Sequence, residues 1–199
     1  MNLTISPENT KLGRIPNLSH PPIIGCRPDA PCTTDCYALK AWRQYPQTRA
    51  AWRGNLSLWE ADPAHYRADL YSYLSSRRYR TPFFRFFVAG DIPSQAYATM
   101  MIHVAHAFPS TSFLCFTKQY ALDWRARPSN LTILWSAWPG FPLPKKPRSV
   151  SGIAWLDDGT ETRIPRHSRY LHHCAGNCTD CQHCFTLTGP TNHIVLPKH

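Results

Sequence analysis

The sequence predicts an α/β fold: a partial parallel barrel or a small parallel sheet with helices, carrying cysteine-rich loops at both ends. Three observations lead there. Residues 83–89, 112–117 and 131–136 are short apolar runs, each followed by a helix or a turn. Near-continuous apolar strands with amphipathic helices between them mark a parallel sheet covered on its faces. Helical periodicity dominates the stretch from about residue 34 to 76. Seven of the eight cysteines fall into two tight sets, one before the helical stretch and one near the C-terminus.

The elements follow in order. Residues 1–31 read as irregular, because Pro16, Pro21, Pro22, Pro28 and Pro31 remove backbone donors and break helices. Trp52, Leu56 and Trp59 then recur at helical spacing. Asp62 reads as an N-cap with Pro63 at the first helical position, and Tyr66, Leu70, Tyr73 and Leu74 line the apolar side. The first strand run ends in Gly90-Asp91, and Pro93 opens a helix with Tyr97, Met100, Met101, Val104 and Phe108 on one face. The second ends in Thr117-Lys118 and leads to a short helix, and the third ends in Ser136-Ala137-Trp138. After a proline-rich loop at 139–148, segments 150–156 and 160–164 flank Asp157-Asp158-Gly159 as a hairpin. Residues 193–197 make one last short strand. The 199 residues fit one domain. Its parts are a loop with the first cysteine set (1–36), a helical segment (37–76), an α/β core (83–165) and a C-terminal cysteine-rich segment (166–199).

The formal charge is +10, with clusters at Arg77, Arg78 and Arg80 and at Lys145, Lys146 and Arg148. Such a balance suits either a solvated basic surface or a polyanion such as nucleic acid. The N-terminus has no signal-peptide pattern. No apolar run approaches the roughly 18 residues of a membrane span. The expected compartment is therefore the reducing cytoplasm, with no membrane partner. Clustered cysteines there mean metal or redox chemistry rather than structural disulfides.

Cys174, Cys178, Cys181 and Cys184 place four thiols within eleven residues, close enough to fold round one centre. Thiolates suit iron–sulfur clusters or zinc. The short gaps favour a 4Fe-4S cluster, since zinc more often takes two pairs set well apart. His172, His173 and His183 read as ordinary polar residues, any of which could replace a cysteine. Cys26, Cys32 and Cys36 are three. Three thiolates can hold a four-iron cluster and leave one iron open to substrate or cofactor. The alternative is zinc completed by His20 or a distant residue. Tyr37 follows Cys36 at a helix start, where backbone amides and the dipole favour an anionic cluster. Cys115, alone in a strand, reads as a small apolar side chain.

Several stretches are specific in combination: Lys11-Leu-Gly-Arg-Ile-Pro-Asn, Ala30-Pro-Cys-Thr-Thr-Asp-Cys-Tyr-Ala, Ala89-Gly-Asp-Ile-Pro, Phe116-Thr-Lys, Leu134-Trp-Ser-Ala-Trp-Pro-Gly and the segment from Cys174. With these the chain resembles the phage gene product 88 domain family over nearly its whole length. That resemblance implies a phage or plasmid protein in the host cytoplasm and little about activity. More remotely, the layout looks like radical S-adenosylmethionine enzymes, in which three cysteines before a partial parallel barrel hold a cluster. The departure is in spacing: here five and three residues separate the cysteines, with the aromatic after the last. The family spacing is three and two, with the aromatic before it.

Two functional readings result. One is an iron–sulfur enzyme of radical type whose pocket lies at the carboxyl ends of the strands. It nominates Asp91 and Lys118 for catalysis, and Tyr37, Gly90, Thr117 and Ser136 for holding the cofactor, S-adenosylmethionine among the candidates. The other is a non-enzymatic protein, stabilised by zinc or iron–sulfur, that engages nucleic acid or a host protein.

Overall fold

The computed structural model describes residues 2–76, 81–144 and 149–197. Seven strands form one sheet: β1 (Asn17–Leu18), β2 (Phe83–Phe86), β3 (Ser112–Thr117), β4 (Leu131–Ala137), β5 (Gly152–Asp157), β6 (Leu171–His173) and β7 (Asn192–Pro197). Among the described residues these strands pair with one another in parallel, in the order β1-β2-β3-β4-β5-β7-β6, and Asn17 of β1 also bridges antiparallel to Ser6. The first five strands thus lie side by side in chain order, as in a parallel barrel that does not close. Helices α1 (Ala38–Gln44), α2 (Pro46–Ala61) and α3 (Pro63–Ser75) join β1 to β2, and α4 (Gln95–Ala107) joins β2 to β3. A four-residue helix, α5 (Cys178–Cys181), lies between β6 and β7.

This order decides which face each connection covers. Right-handed crossovers that step forward across a sheet place their connections on one face. The single backward step, β6 to β7, places its connection on the other. The packing agrees. Phe84, Phe86, Phe113, Cys115, Ile133 and Trp135 are buried with Leu58, Trp59, Tyr66, Leu70, Tyr97, Met101 and Val104 of the helices. Alternate residues Leu114, Leu134, Ala154 and Ile194 are buried instead with Phe185 and Leu187 of the β6–β7 connection, and with Leu12 and Ile15 from the N-terminal turn. The cysteine-rich C-terminal segment is therefore the cover of the face opposite α2 to α4.

Several sequence expectations hold. Asp62 caps α3 by accepting from the His65 amide, with Pro63 in the first turn. Ser94, rather than Pro93, caps α4. Strand β2 stops at Phe86 because Phe87 turns into left-handed conformation at φ 54°. Its ring then packs edge-on to His20 at 5.0 Å.

Two expectations fail. The hairpin over 150–164 does not form: β5 is flanked on both sides by parallel partners, so no edge is free for a returning strand. Residues 160–164 instead turn about Glu161, whose buried carboxylate accepts from Arg163 backbone and guanidinium. No helix forms between β3 and β4 either. Pro128 interrupts that segment, and the fully buried Trp124 supplies the apolar cover a helix would have given. The region called irregular hides β1, a two-residue strand tied to β2 by amide bonds from Arg85 to Pro16 and from Phe87 to Leu18. Both basic clusters, Arg77, Arg78 and Arg80 and Lys145, Lys146 and Arg148, lie outside the described residues.

His20, two residues past the end of β1, is fully buried. Its Nε2 lies 3.1 Å from the Tyr66 hydroxyl, which lies 2.6 Å from that of Tyr97. Burial lowers its pKa to about 3. Unfolded histidine takes a proton near pH 6.5, so acid stabilises the unfolded chain first. The stability due to neutral His20 is complete above about pH 6.5 and falls as the pH drops towards 3, by up to about 1.4 kcal/mol per pH unit. Urea unfolding at pH 6.5 and 5 should show this slope, steepened by the lowered His172 and His193. His20→Gln should flatten it; parallel slopes in both proteins would disprove it.

Candidate functional site

The first cysteine set lies in the loop leaving β1, at the carboxyl end of the sheet. The loop is held at its root. The His20 amide donates to Ala89 O, and the Ala89 amide donates to the Ser19 hydroxyl. Gly90 is required here: its φ is +76°, and a Cβ would stand 2.9 Å from His20 O. Successive turns then place the thiols. The Cys26 amide donates to Ile23 O, Cys32 sits in the short helical turn Pro31–Thr33, and Cys36 precedes α1. Burial, and next the charge of Asp91, push the Cys26 thiol up to about 11. Burial also raises Cys36, with Cys32 adding to it and Lys118 opposing it. Cys26 thus feels the charge of Asp91, and Cys36 that of Lys118.

The nominated strand-end residues divide into two groups. Asp91 and Thr117 are buried and engage each other: the Thr117 hydroxyl donates to Asp91 Oδ1 at 2.6 Å. The Asp91 carboxylate also accepts from the Ile92 and Lys118 amides, so it clasps the end of β2 to the end of β3. Gly90 serves the backbone approach already described. Lys118 and Ser136 are half-buried, and Tyr37 is exposed. Lys118 Nζ lies 3.0 Å from Ser136 Oγ and 5.5 Å from the Trp138 ring centre. The Tyr37 hydroxyl donates to Val88 O, while the residue is 67% exposed. Sequence reasoning missed two neighbours. Arg27 lies against the rings of Tyr120 and Phe141 and donates to Lys118 O, and Tyr120 donates to Ser136 O.

The second set follows β6. The Cys174 amide bonds Val195 O, and the Gly176 amide donates to Cys174 Sγ at 3.4 Å. Asn177 caps α5 through the Thr179 and Asp180 amides, and Gln182 turns the chain in left-handed conformation. Phe185, 2% exposed, anchors the turn that carries Cys184. The N-terminal turn clamps the whole segment. The Cys178 amide donates to Lys11 O, and the Thr179 hydroxyl donates to Leu12 O. Gly13 has φ +61°, and a Cβ there would stand 2.0 Å from Thr179 Oγ1. This close approach accounts for the glycine in the N-terminal motif. Burial and next Cys174 push Cys184 up to about 12, with Arg85 opposing; burial likewise raises Cys178.

Arg85 was not singled out in the sequence. It alternates with Phe84 and Phe86 on β2 and points to the face that the second set covers. Its guanidinium lies 4.5 Å over the Phe116 ring, and its Nε is buried with no hydrogen-bond partner. No ion pair among the described residues engages it. His172 Nε2 lies 3.4 Å from Cys181 Sγ, and its ring stacks on His183 at 4.0 Å. Among the described residues, no three His, Cys, Asp or Glu side chains converge tightly enough to share one metal ion.

The chain matches the gene product 88 family over residues 4–138. It belongs to that family. The match to gene product 88 takes in β1 to β4 and the first cysteine set and stops before the second. It is narrower than the near-complete likeness implied by the motifs. No curated protein and no solved structure matches, so the likeness to radical S-adenosylmethionine enzymes rests on layout alone. No described helix is long and apolar enough to cross a membrane.

Proposed function

We propose that this gene product 88 protein is an iron–sulfur protein with two clusters, and that the cluster of Cys26, Cys32 and Cys36 has an open iron where chemistry occurs. The single observation that carries this reading is positional. A three-thiol loop leaves the first strand of a sequentially ordered parallel sheet at its carboxyl edge, where such sheets place their ligands. The donor sets fit. Thiols of each set are close enough to raise one another's pKa. Thiolates on the corners of a cube stand farther apart than four around one zinc, so a cluster needs no single-ion convergence. The orphaned Arg85 Nε beside the second set fits an anionic centre better than neutral thiols.

S-adenosylmethionine is the cosubstrate we propose for the open position. When bound, such a cluster supplies one electron for reductive cleavage of the sulfonium. The chain's own residues bind and orient. Lys118, held by Ser136 and with its backbone carbonyl fixed by Arg27, offers an ammonium for a carboxylate. Tyr37 is the exposed ring at the entrance. Asp91 and Thr117 keep the two strand ends together and so set the floor.

Oxygen-free purification followed by iron, sulfide and zinc analysis tests the proposal. About eight irons and eight sulfides per chain are expected for two four-iron clusters. Zinc alone in the protein would overturn it. The contact between His172 and Cys181 would then favour a mixed sulfur–imidazole zinc site and the binding-module reading.

A further inference from the structure

We propose that the helical pair α1–α2, with the loop of the first cysteine set, is a docking surface for single-stranded nucleic acid. The inference does not depend on either set holding metal. From Cys36 to Trp59 the chain carries Lys40, Arg43, Arg49 and Arg53 and no acidic residue; Asp35 and Glu60 border the stretch, and Asp29 in the loop is paired with Arg27. Lys40, Arg43 and Arg53 are exposed and Arg49 is half-buried. Residues three or four apart share a helix face, so Lys40 pairs with Arg43 on α1 and Arg49 with Arg53 on α2. No ion pair among the described residues engages any of them. An aromatic ring orients one of them and a backbone carbonyl another. Arg53 lies 5.2 Å over Trp42, which stacks on Trp52, and Arg49 donates to Trp42 O.

Four of the five exposed large apolar side chains among the described residues lie in the chain next to these cations, the fifth being Tyr170. Ile23, Ile24, Tyr37 and Tyr45 are all exposed large side chains, and all lie in the cysteine loop or beside α1. Tyr37 and Tyr45 flank α1 and stand roughly 12 Å apart along its axis. Stacked bases repeat at about 3.4 Å, so that interval takes a short run of nucleotides. Cations at intervals between exposed rings match a strand that alternates phosphates with flat bases. An acidic peptide would meet the cations and leave the tyrosines without stacking partners. A bilayer would need a continuous apolar face, which the cations interrupt.

The test is fluorescence anisotropy with labelled single-stranded RNA and DNA of about twelve nucleotides, within the site sizes such surfaces take. Binding should weaken with salt at a logarithmic slope of about −2 to −3, for three or four phosphates at ~0.7 each. Lys40→Glu with Arg43→Glu should weaken it at least tenfold, and Tyr45→Ala about tenfold through lost stacking. Arg125→Glu with Arg169→Glu makes the same charge change at exposed positions elsewhere and should leave affinity within about threefold. Circular dichroism confirms that each variant is folded. An equal loss in the control pair would overturn the proposal, since the binding would then be diffuse. So would full affinity in Tyr45→Ala, or binding of polyglutamate or anionic phosphatidylserine vesicles as tight as that of the strands.

Discussion

Cys32→Ala is expected to remove about half of the iron and all cleavage of S-adenosylmethionine, while the second cluster stays in place. Cys32 lies in the middle of its loop, in the turn Pro31–Thr33, between Cys26 and Cys36. Without it two thiols remain, and two cannot hold a four-iron centre against loss to solvent. The fold should survive. The loop root is fixed by the Ala89 contacts to Ser19 and His20, none of which involves a cysteine side chain. Cys181→Ala should cost a similar share of the iron from the other set. It should also loosen the C-terminal segment, because that segment covers the sheet face through Phe185 and Leu187. Cys115→Ala should leave the iron untouched, since Cys115 lies in the helix-side core. The measurements are iron and sulfide per chain, and methionine and 5′-deoxyadenosine formed with dithionite under nitrogen. Full iron in the Cys32 variant would remove the first set from the metal chemistry. A wild-type protein with both clusters that neither binds nor cleaves S-adenosylmethionine would end the radical reading.

How far the sequence foretold the structure depends on the range of each interaction. Asp62-Pro63 and the Tyr66, Leu70, Leu74 stripe were legible because capping and helical periodicity are local. The three apolar runs were legible as parallel strands because burial on both faces writes itself into composition. Asp157-Asp158-Gly159 is a good turn and by itself favours a hairpin at the end of β5. What excluded the hairpin is that β4 and β7 occupy both its sides, a long-range fact. Strand β1 was invisible because two residues after Pro16 carry no period.

The site shows the same division. The cysteine sets could be counted in the sequence. That the second set covers the sheet face opposite the helices follows from the reversed order of β6 and β7, which no local pattern records. Asp91 and Thr117 were nominated separately, and only the fold brings them into one hydrogen bond. Arg85 had a signal, a lone cation inside Phe83-Phe84-Arg85-Phe86-Phe87, whose meaning needed the cysteine segment far along the chain.

Arg85→Met is expected to change stability with opposite sign in metal-free and iron-loaded protein. The guanidinium lies over Phe116 with a buried Nε, and among the described residues that Nε has no hydrogen-bond partner and no carboxylate forms an ion pair with the side chain. A buried donor left without a partner is costly, and replacing the side chain by an apolar one of similar reach is neutral or stabilising. With a cluster in the second set, Cys178 and Cys184 become anionic ligands. The guanidinium that already opposes the rise of both thiol pKa values then faces negative charge. Losing a charge-assisted contact of that kind costs about 1.5–3 kcal/mol. Metal-stripped Arg85→Met should therefore melt at or above wild type, and the loaded variant below it. Arg85→Lys keeps the charge but not the planar group over Phe116, so it should fall between the two. The reduction potential of the second cluster should drop in Arg85→Met, because a nearby cation favours the more negative, reduced state. Both readings come from one preparation: thermal unfolding with and without iron, and a redox titration followed by electron paramagnetic resonance. A destabilisation of equal size in both forms would make Arg85 a packing residue. An unchanged potential would mean that its charge does not reach the centre.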